Sequence, residues 1–472
     1  MQRLSGDYSE NVKYFDKTFR VDENFDVLQK KLAIGKDELT LYFIDGFVKD
    51  TVMQKLMMHF ISQKALPEGA DEFMRANVPY VESDVTEDIS LMVQMVMSGA
   101  TLILGSRFGA QAIIVDTRTY PARETQEPEG DRVMRGSRDG FVETVIFNTA
   151  LIRRRIRNPA LTMHYMTVGS DSKTDVVISY MSDRADLSYV EQIKKKIASI
   201  KTGALTVGHE SLAECLIHTR WYNPFPKIRT TERPDVAAAQ LLEGSVLILI
   251  DNSPEVMVLP TSIFDFMQES NDFYFPPLTG TYIRVVRHVV FFLTLVITPL
   301  WYLCLLYPTL LPPWLHFALP ADRGQLPIIV QLLLVEFLID ALRLASLNTP
   351  SMLNNSLSVV GGLILGDFAV DIGWLIPEVI LYMAFVAIAN FTQRSYELGY
   401  AIKFLRIMLL VLTAIFRIWG FAAGILITVV LLVSNSTVNG KRHYLYPLIP
   451  FSPRALKTLF FRVRKNSGEN GK

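Results

Sequence analysis

The residues here whose types and spacing carry chemistry are acids set inside apolar runs. In IIVQLLLVEFLIDALRLASL, residues 328–347, Glu336, Asp340 and Arg343 stand at i, i+4 and i+7. On a helix they form one polar stripe. In the run 354–390, Asp367 and Asp371 stand four apart and Glu378 follows. Gly361, Gly362 and Gly366 share that run, and Gly420 and Gly424 repeat the spacing in a later one. Small residues let helix backbones approach closely. Acids in membrane-like segments are costly and face a protein interior or water. One reading is therefore a packing seam with acids buried at a subunit contact. The other is the wall of a polar path, in which carboxylates attract cations and ease their desolvation. For the 336–343 stripe, Arg343 neutralising Asp340 one turn away is the simpler alternative.

The elements that must position these residues divide the chain in two. Lysine plus arginine and aspartate plus glutamate both number 47, so no basic field points to nucleic acid. Most charge precedes about residue 285, and most long apolar runs follow it. The start, MQRLSGDYSENVKYFDK, has no apolar core, so no cleavable signal peptide is expected. Cys215 and Cys304 make neither a disulfide framework nor a zinc site.

In the first half, residues 1–35 read as a charged N-terminal segment. LTLYFIDGF, residues 39–47, reads as a buried strand followed by a helix, and 82–97 as another helix. TLILGSRFGAQAIIVD, residues 101–116, reads as two strands around a turn. The order recurs from Asp175, and GATLILG at Gly99 aligns with GSVLILI at Gly244. This predicts two related α/β lobes, 36–135 and 136–280. Between them, Gly136, Asp139 and Gly140 read as a turn, and 141–155 as a helix with a basic, solvated end at Arg153, Arg154 and Arg155.

GSRFGA at Gly105 lacks the full dinucleotide fingerprint and enters a strand. No P-loop is present, and His59, His164, His209 and His218 show no metal spacing. No catalytic site, cofactor or metal is expected.

In the second half, the uncharged run 289–307 is long enough to span a bilayer, with Arg284, Arg287 and His288 marking its cytoplasmic end. The Pro-rich stretch around Trp314 reads as an outer interfacial loop. The expected architecture is an α/β two-lobed soluble N-terminal region followed by an α-helical multi-pass membrane domain, 281–435. About four crossings are expected, at 288–309, 355–373, 375–392 and 405–433, with an amphipathic helix at 326–346. Six arise if that helix crosses and the last region crosses twice. The tail, 436–472, carries Lys441, Arg442, Arg454, Lys457, Arg462, Arg464 and Lys465, which argues for a cytoplasmic C-terminus.

These residues also carry a resemblance. SLSVVGGLILGDFAVDIG, with the following helix that ends VAIANF, resembles the signature of the GerA-type A-subunit family of spore germinant receptors. Ser358, Val360, Gly361, Gly366, Ala369, Val370 and Gly373 match its run position by position. Arg135, Gly136, Gly140, Phe141, Glu143 and Asn148 resemble family positions in the soluble half. Asp367, Asp371 and ELGYAIKFLRI, residues 397–407, depart toward a sporulation paralogue. The resemblance implies a non-enzymatic, multi-pass protein of the endospore inner membrane acting in germination. It further implies a homo-oligomer around an ion-conducting path, with the lipid bilayer and other spore membrane proteins as partners. A non-conducting receptor or scaffold, whose lobes bind a small molecule or partner, is the alternative.

Overall fold

The computed structural model describes residues 3–118, 136–217, 221–269, 271–320, 324–348, 369–393, 395–435, 438 and 444–461. The chain divides into two compact units, Met1–His218 with Ile228–Thr261, and Thr219–Lys227 with Ser262–Lys472.

The first unit holds two lobes of the same plan. In the first, α1 (Tyr8–Phe19) precedes β1 (Val27–Ile34), β2 (Asp37–Ile44), α2 (Asp50–Ile61), α3 (Ala70–Asn77), β3 (Ser83–Thr86), α4 (Ile89–Met97), β4 (Thr101–Gly105) and β5 (Ala112–Val115). In the second, α5 (Val145–Arg155) precedes β6 (Leu161–Val168), β7 (Thr174–Met181), α6 (Leu187–Ala198), α7 (Gly208–Leu216), β8 (Arg229–Thr231), α8 (Pro234–Leu242), β9 (Val246–Ile250) and β10 (Val256–Leu259). The strand orders are β1-β2-β4-β5-β3 and β6-β7-β9-β10-β8, antiparallel throughout. The two lobes therefore share element order and sheet topology, as the repeat predicts.

The first sheet is buried on both faces by side chains that alternate with the strand period of two. Leu41, Ile103 and Ile113 pack with Leu56, Phe60 and Phe73, while Tyr42, Leu102, Leu104 and Ile114 pack with Phe15, Phe19 and Met92. Gly99 and Gly244 occupy the same position after α4 and α8, at φ 102° and 97°. An added Cβ would press on Phe47 at the first and on the Arg184 carbonyl at the second.

The repeat reaches side-chain detail. Asn11 in α1 accepts from Ser5 N–H (3.0 Å) and donates to the Ser5 carbonyl (2.7 Å). Asn148 in α5 does the same with Val142, at 2.8 and 2.6 Å. Each buried amide satisfies the backbone leading into its helix, so neither polar group is stranded in the core.

Three expectations are corrected here. Residues 1–35 are not an unpatterned charged segment, because α1 caps the first core and β1 pairs with β2 along its length. The first unit closes at Thr261 rather than 280, and Thr219–Lys227 joins the helical unit. Residues 83–86 are strand rather than helix, and α4 begins only after Asp88 caps Ser90 N–H.

The second unit is helical: a 3₁₀ turn (Ile263–Met267), α9 (Asn271–Tyr274), α10 (Pro277–Leu306), α11 (Ile328–Asn348), α12 (Pro377–Asn390), α13 (Tyr396–Ser434) and α14 (Pro453–Phe460). Among the described residues, α10 and α13 are long and apolar enough to cross a membrane, and α12 is a shorter apolar helix. Side-chain contacts define two ends. At one, Phe291 packs with Leu398, Ile402, Ile263 and Tyr444. At the other, Trp301 packs with Leu332, Val379 and Leu410.

From the Phe291 end α10 runs to the Trp301 end, and α11 returns, since Leu332 lies by Trp301 and Arg343 by Tyr400. Gln325 N–H then bonds the Gly373 carbonyl (3.0 Å) at the Trp301 end, and α12 returns from there toward Leu398. The helix α13 breaks at Arg417, which holds φ 53° and ψ −130°. Beyond the break the chain folds back, placing Gly420 on Leu412 and Gly424 on Leu409. The expected last segment, 405–433, is thus a hairpin, and the amphipathic helix runs from one end of the bundle to the other.

Candidate functional site

Midway along the helical unit lies a cluster of four charged side chains. Glu336 and Asp340 come from one face of α11, and Lys403 and Arg406, three apart, from one face of α13. Arg406 Nε donates to Glu336 Oε1 at 2.7 Å, and its Nη2 lies 2.5 Å from the same oxygen. Arg406 Nη1 donates to the Thr294 carbonyl of α10 at 3.0 Å. That carbonyl lies five residues, about 7.5 Å, inside the apolar run that begins at Val289. Lys403 Nζ lies 3.5 Å from Glu336 Oε2, donates to the Glu336 carbonyl (3.3 Å) and pairs with Asp340.

Glu336, Lys403 and Arg406 are each buried. Isolated charges would be expelled from such a site at a cost of several kcal/mol each. Two acids against two bases make the cluster formally neutral, and the hydrogen bonds satisfy the individual charges. Arg343 does not neutralise Asp340 in this arrangement. Its guanidinium lies over the rings of Phe391 and Tyr400, 5.2 and 5.6 Å from their centroids.

The structure brings together Glu336 and Asp340 but neither Asp371 nor Glu378. Asp371 is exposed in the helical turn Ala369–Asp371, and Glu378 is half-buried in the first turn of α12. Asp367, Gly361, Gly362 and Gly366 lie outside the described residues, as does Arg135. Gly420 and Gly424 do form a close seam, within one chain, between the two arms of α13. Lys403 and Arg406 are the members of the cluster absent from the candidate residues read from the sequence. Four crossings leave the residues between 392 and 405 outside, and the partners of both cations lie more than sixty residues away in sequence. The signal was available as charge balance: an i, i+4 acidic pair in one apolar helix and an i, i+3 basic pair in another.

The described motif positions of the soluble half make local backbone and packing contacts. Gly136 has φ 128°, a left-handed conformation natural to glycine. Arg155 Nη2 grips Asp139 at 2.7 and 2.6 Å. Gly140 leads into Phe141, which is buried and bonds through its N–H to the Glu232 carbonyl (2.8 Å). The Glu143 carbonyl accepts from Asn252 N–H (2.7 Å), and Asn148 holds Val142. The helix starts at Val145 rather than 141 because these four residues are tied into the second lobe. The basic end is solvated only in part: Arg154 is exposed and Arg155 half-buried. Arg153 is fully buried and reaches Asp26 of the first lobe with two bonds of 2.9 Å, plus one of 3.0 Å to the Leu161 carbonyl.

Two α/β lobes thus precede a helical unit that holds a buried ionic cluster and two helices long and apolar enough to cross a membrane. The sequence model of the family described as Bacillus/Clostridium GerA spore germination protein matches residues 13–470, and the chain belongs to this family. It is 37% identical over 468 residues to stage V sporulation protein AF of Bacillus subtilis (strain 168), covering 97% of this chain and 92% of that protein. With spore germination protein KA of the same organism it shares 28% over 453 residues, covering 94% and 82%. A crystal structure of the N-terminal domain of the A subunit of the Bacillus megaterium germinant receptor GerK3 aligns with 55% of this chain and 96% of that one. It does so at 24% identity with a TM-score of 0.41.

Proposed function

We propose that this chain acts in spore germination as a multi-pass subunit of an oligomeric assembly in the spore membrane, with a cation path walled by α11 and the 355–378 stretch. The observation that supports this most is the neutral cluster of Glu336, Asp340, Lys403 and Arg406 inside an apolar bundle. Ionisable groups at such depth are kept where an ion pathway uses them. A shift of α11 along α13 unpairs the two carboxylates and turns them toward a path, so the cluster serves as a gate that is shut in this conformer.

The pass count bears on topology. The helical unit begins and ends at the Phe291 end, which requires an even number of passes. The described residues supply five, α10, α11, α12 and the two arms of α13, and we take the total as six. Six crossings put the α/β lobes and the basic C-terminal stretch on the cytosolic, or spore-core, side. Subunits meet in this reading through the seam of Gly361, Gly362 and Gly366. Gly366→Leu then reduces assembly size on gel filtration.

The charge balance favours one second reading, a non-conducting receptor or scaffold in which the cluster only holds helices together. Potassium flux from vesicles containing the purified protein separates the two. Conduction predicts flux that falls when Asp371→Asn and Glu378→Gln are combined, at unchanged protein abundance. No flux from a correctly assembled protein under any condition leaves the scaffold.

A further inference from the structure

The C-terminal stretch 444–461 is pinned at its two ends and bare between them. The Tyr444 carbonyl accepts from Ile263 N–H (2.9 Å), and its hydroxyl donates to the Pro226 carbonyl (2.7 Å). Arg284 Nη1 donates to the Thr458 carbonyl (2.8 Å), the ring of Phe460 lies 4.9 Å from that of His288, and Leu459 is buried. Those anchors sit at the basic end of α10. Between and beyond them Tyr446, Leu448, Ile449 and Phe461 are exposed, and Phe451 is 69% exposed. Arg454 and Lys457, three apart on α14, are exposed too. No acid occurs anywhere in 444–461. Of the acids on neighbouring elements, Asp272 and Glu269 are engaged by Arg287 and Asp265 by the Ser262 N–H, while Glu397 of α13 lies near the anchored Tyr444 end.

We infer that residues 446–461 form an interfacial foot that seats on an anionic lipid surface, apolar side chains in the acyl boundary and Arg454 and Lys457 among the headgroups. Large apolar side chains beside cations, without acids, at the end of a spanning helix have the composition of interfacial lipid-binding segments. A contact with another protein does not require an acid-free strip; attraction to lipid phosphates favours one. The inference rests on the membrane setting of the helical unit, and the experiment reads that setting separately.

The full chain, with Cys215→Ser and Cys304→Ser, carries one spin label, at Phe451→Cys or at Phe292→Cys on the exposed side of α10. It is reconstituted in phosphatidylcholine vesicles with and without phosphatidylglycerol, and collisions with oxygen and with a water-soluble nickel chelate are measured. A label at 292 that favours oxygen establishes the membrane setting; one that favours nickel shows that setting to be wrong. Given the first, the label at 451 favours oxygen in the anionic vesicles. Arg454→Gln with Lys457→Gln then shifts its inserted-to-free ratio by about tenfold toward water. Raised salt does the same to the unsubstituted segment. Nickel access at 451 in both vesicle types overturns the inference, as does a label immobile and shielded from both reagents, the mark of a protein contact.

Discussion

At the scale of single residues, two of the molecule's ionic sites make different predictions. Glu336 is buried against Arg406, so Glu336→Gln leaves a guanidinium without its carboxylate in an apolar bundle. Breaking such a pair from one side typically costs about 3–5 kcal/mol. The expected outcome is a lower thermal midpoint in detergent and less protein in the membrane. Adding Arg406→Gln recovers part of the loss, and a midpoint unchanged by Glu336→Gln would refute the pairing. Asp139 in the soluble unit is a milder case. Burial raises its carboxyl pKa, but the bonds from Arg155 and Ser137 outweigh this and hold it below the usual carboxylate range. The folded chain therefore binds that proton less readily than the unfolded chain. The pair's contribution is complete above about pH 4, the unfolded value, and is lost as pH falls through the lower folded value. Asp139→Asn should lower the thermal midpoint at pH 7, with the gap to the unsubstituted protein narrowing as pH falls below about 4. A gap constant with pH would show that the carboxylate's charge plays no part.

At the scale of elements, the sequence carried what is local and lost what is not. The hairpins β4–β5 and β9–β10 were legible because apolar strands flank short turns, and their likeness revealed the duplication. The strand β3 was not, since SDVT offers three half-exposed residues and one exposed and runs into the capped start of α4. The break in α13 stayed open between one crossing and two for another reason: the apolar pattern continues through Arg417 on both sides. What fixes the fold-back is contact between arms, and glycine permits it. A Cβ on Gly420 would strike the Leu412 carbonyl, and one on Gly424 the Leu409 side chain. Gly420→Ala should therefore destabilise the protein by about 1–3 kcal/mol or more, because the obstacle is backbone. Gly6→Ala meets nothing within 4 Å and serves as the neutral control. Equal midpoints for the two variants in a thermal shift assay would mean that the arms do not pack as described.

At the scale of the whole molecule, the ionic cluster and the topology constrain each other. If 393–406 lay outside the membrane, as a four-crossing count requires, Lys403 and Arg406 would be loop cations facing solvent. Instead they sit on the first arm of α13 and bond to α11 and α10. That places the turn between α12 and α13 at the Phe291 end, together with Arg284 and Arg287. Accessibility of an added thiol to a membrane-impermeant maleimide decides between the counts. In a Cys304→Ser background in intact cells, Cys215, exposed in the second lobe, should label only after permeabilisation. Phe317→Cys, 81% exposed at the other end of α10, should label without it. The deciding position is Thr392, exposed just after α12. Six crossings leave Thr392→Cys protected until permeabilisation, and four expose it at once. Immediate labelling at 392 with protection at 215 would restore the four-crossing chain and remove Lys403 and Arg406 from the bilayer. The gate built on their pairing with Glu336 and Asp340 would fall with them.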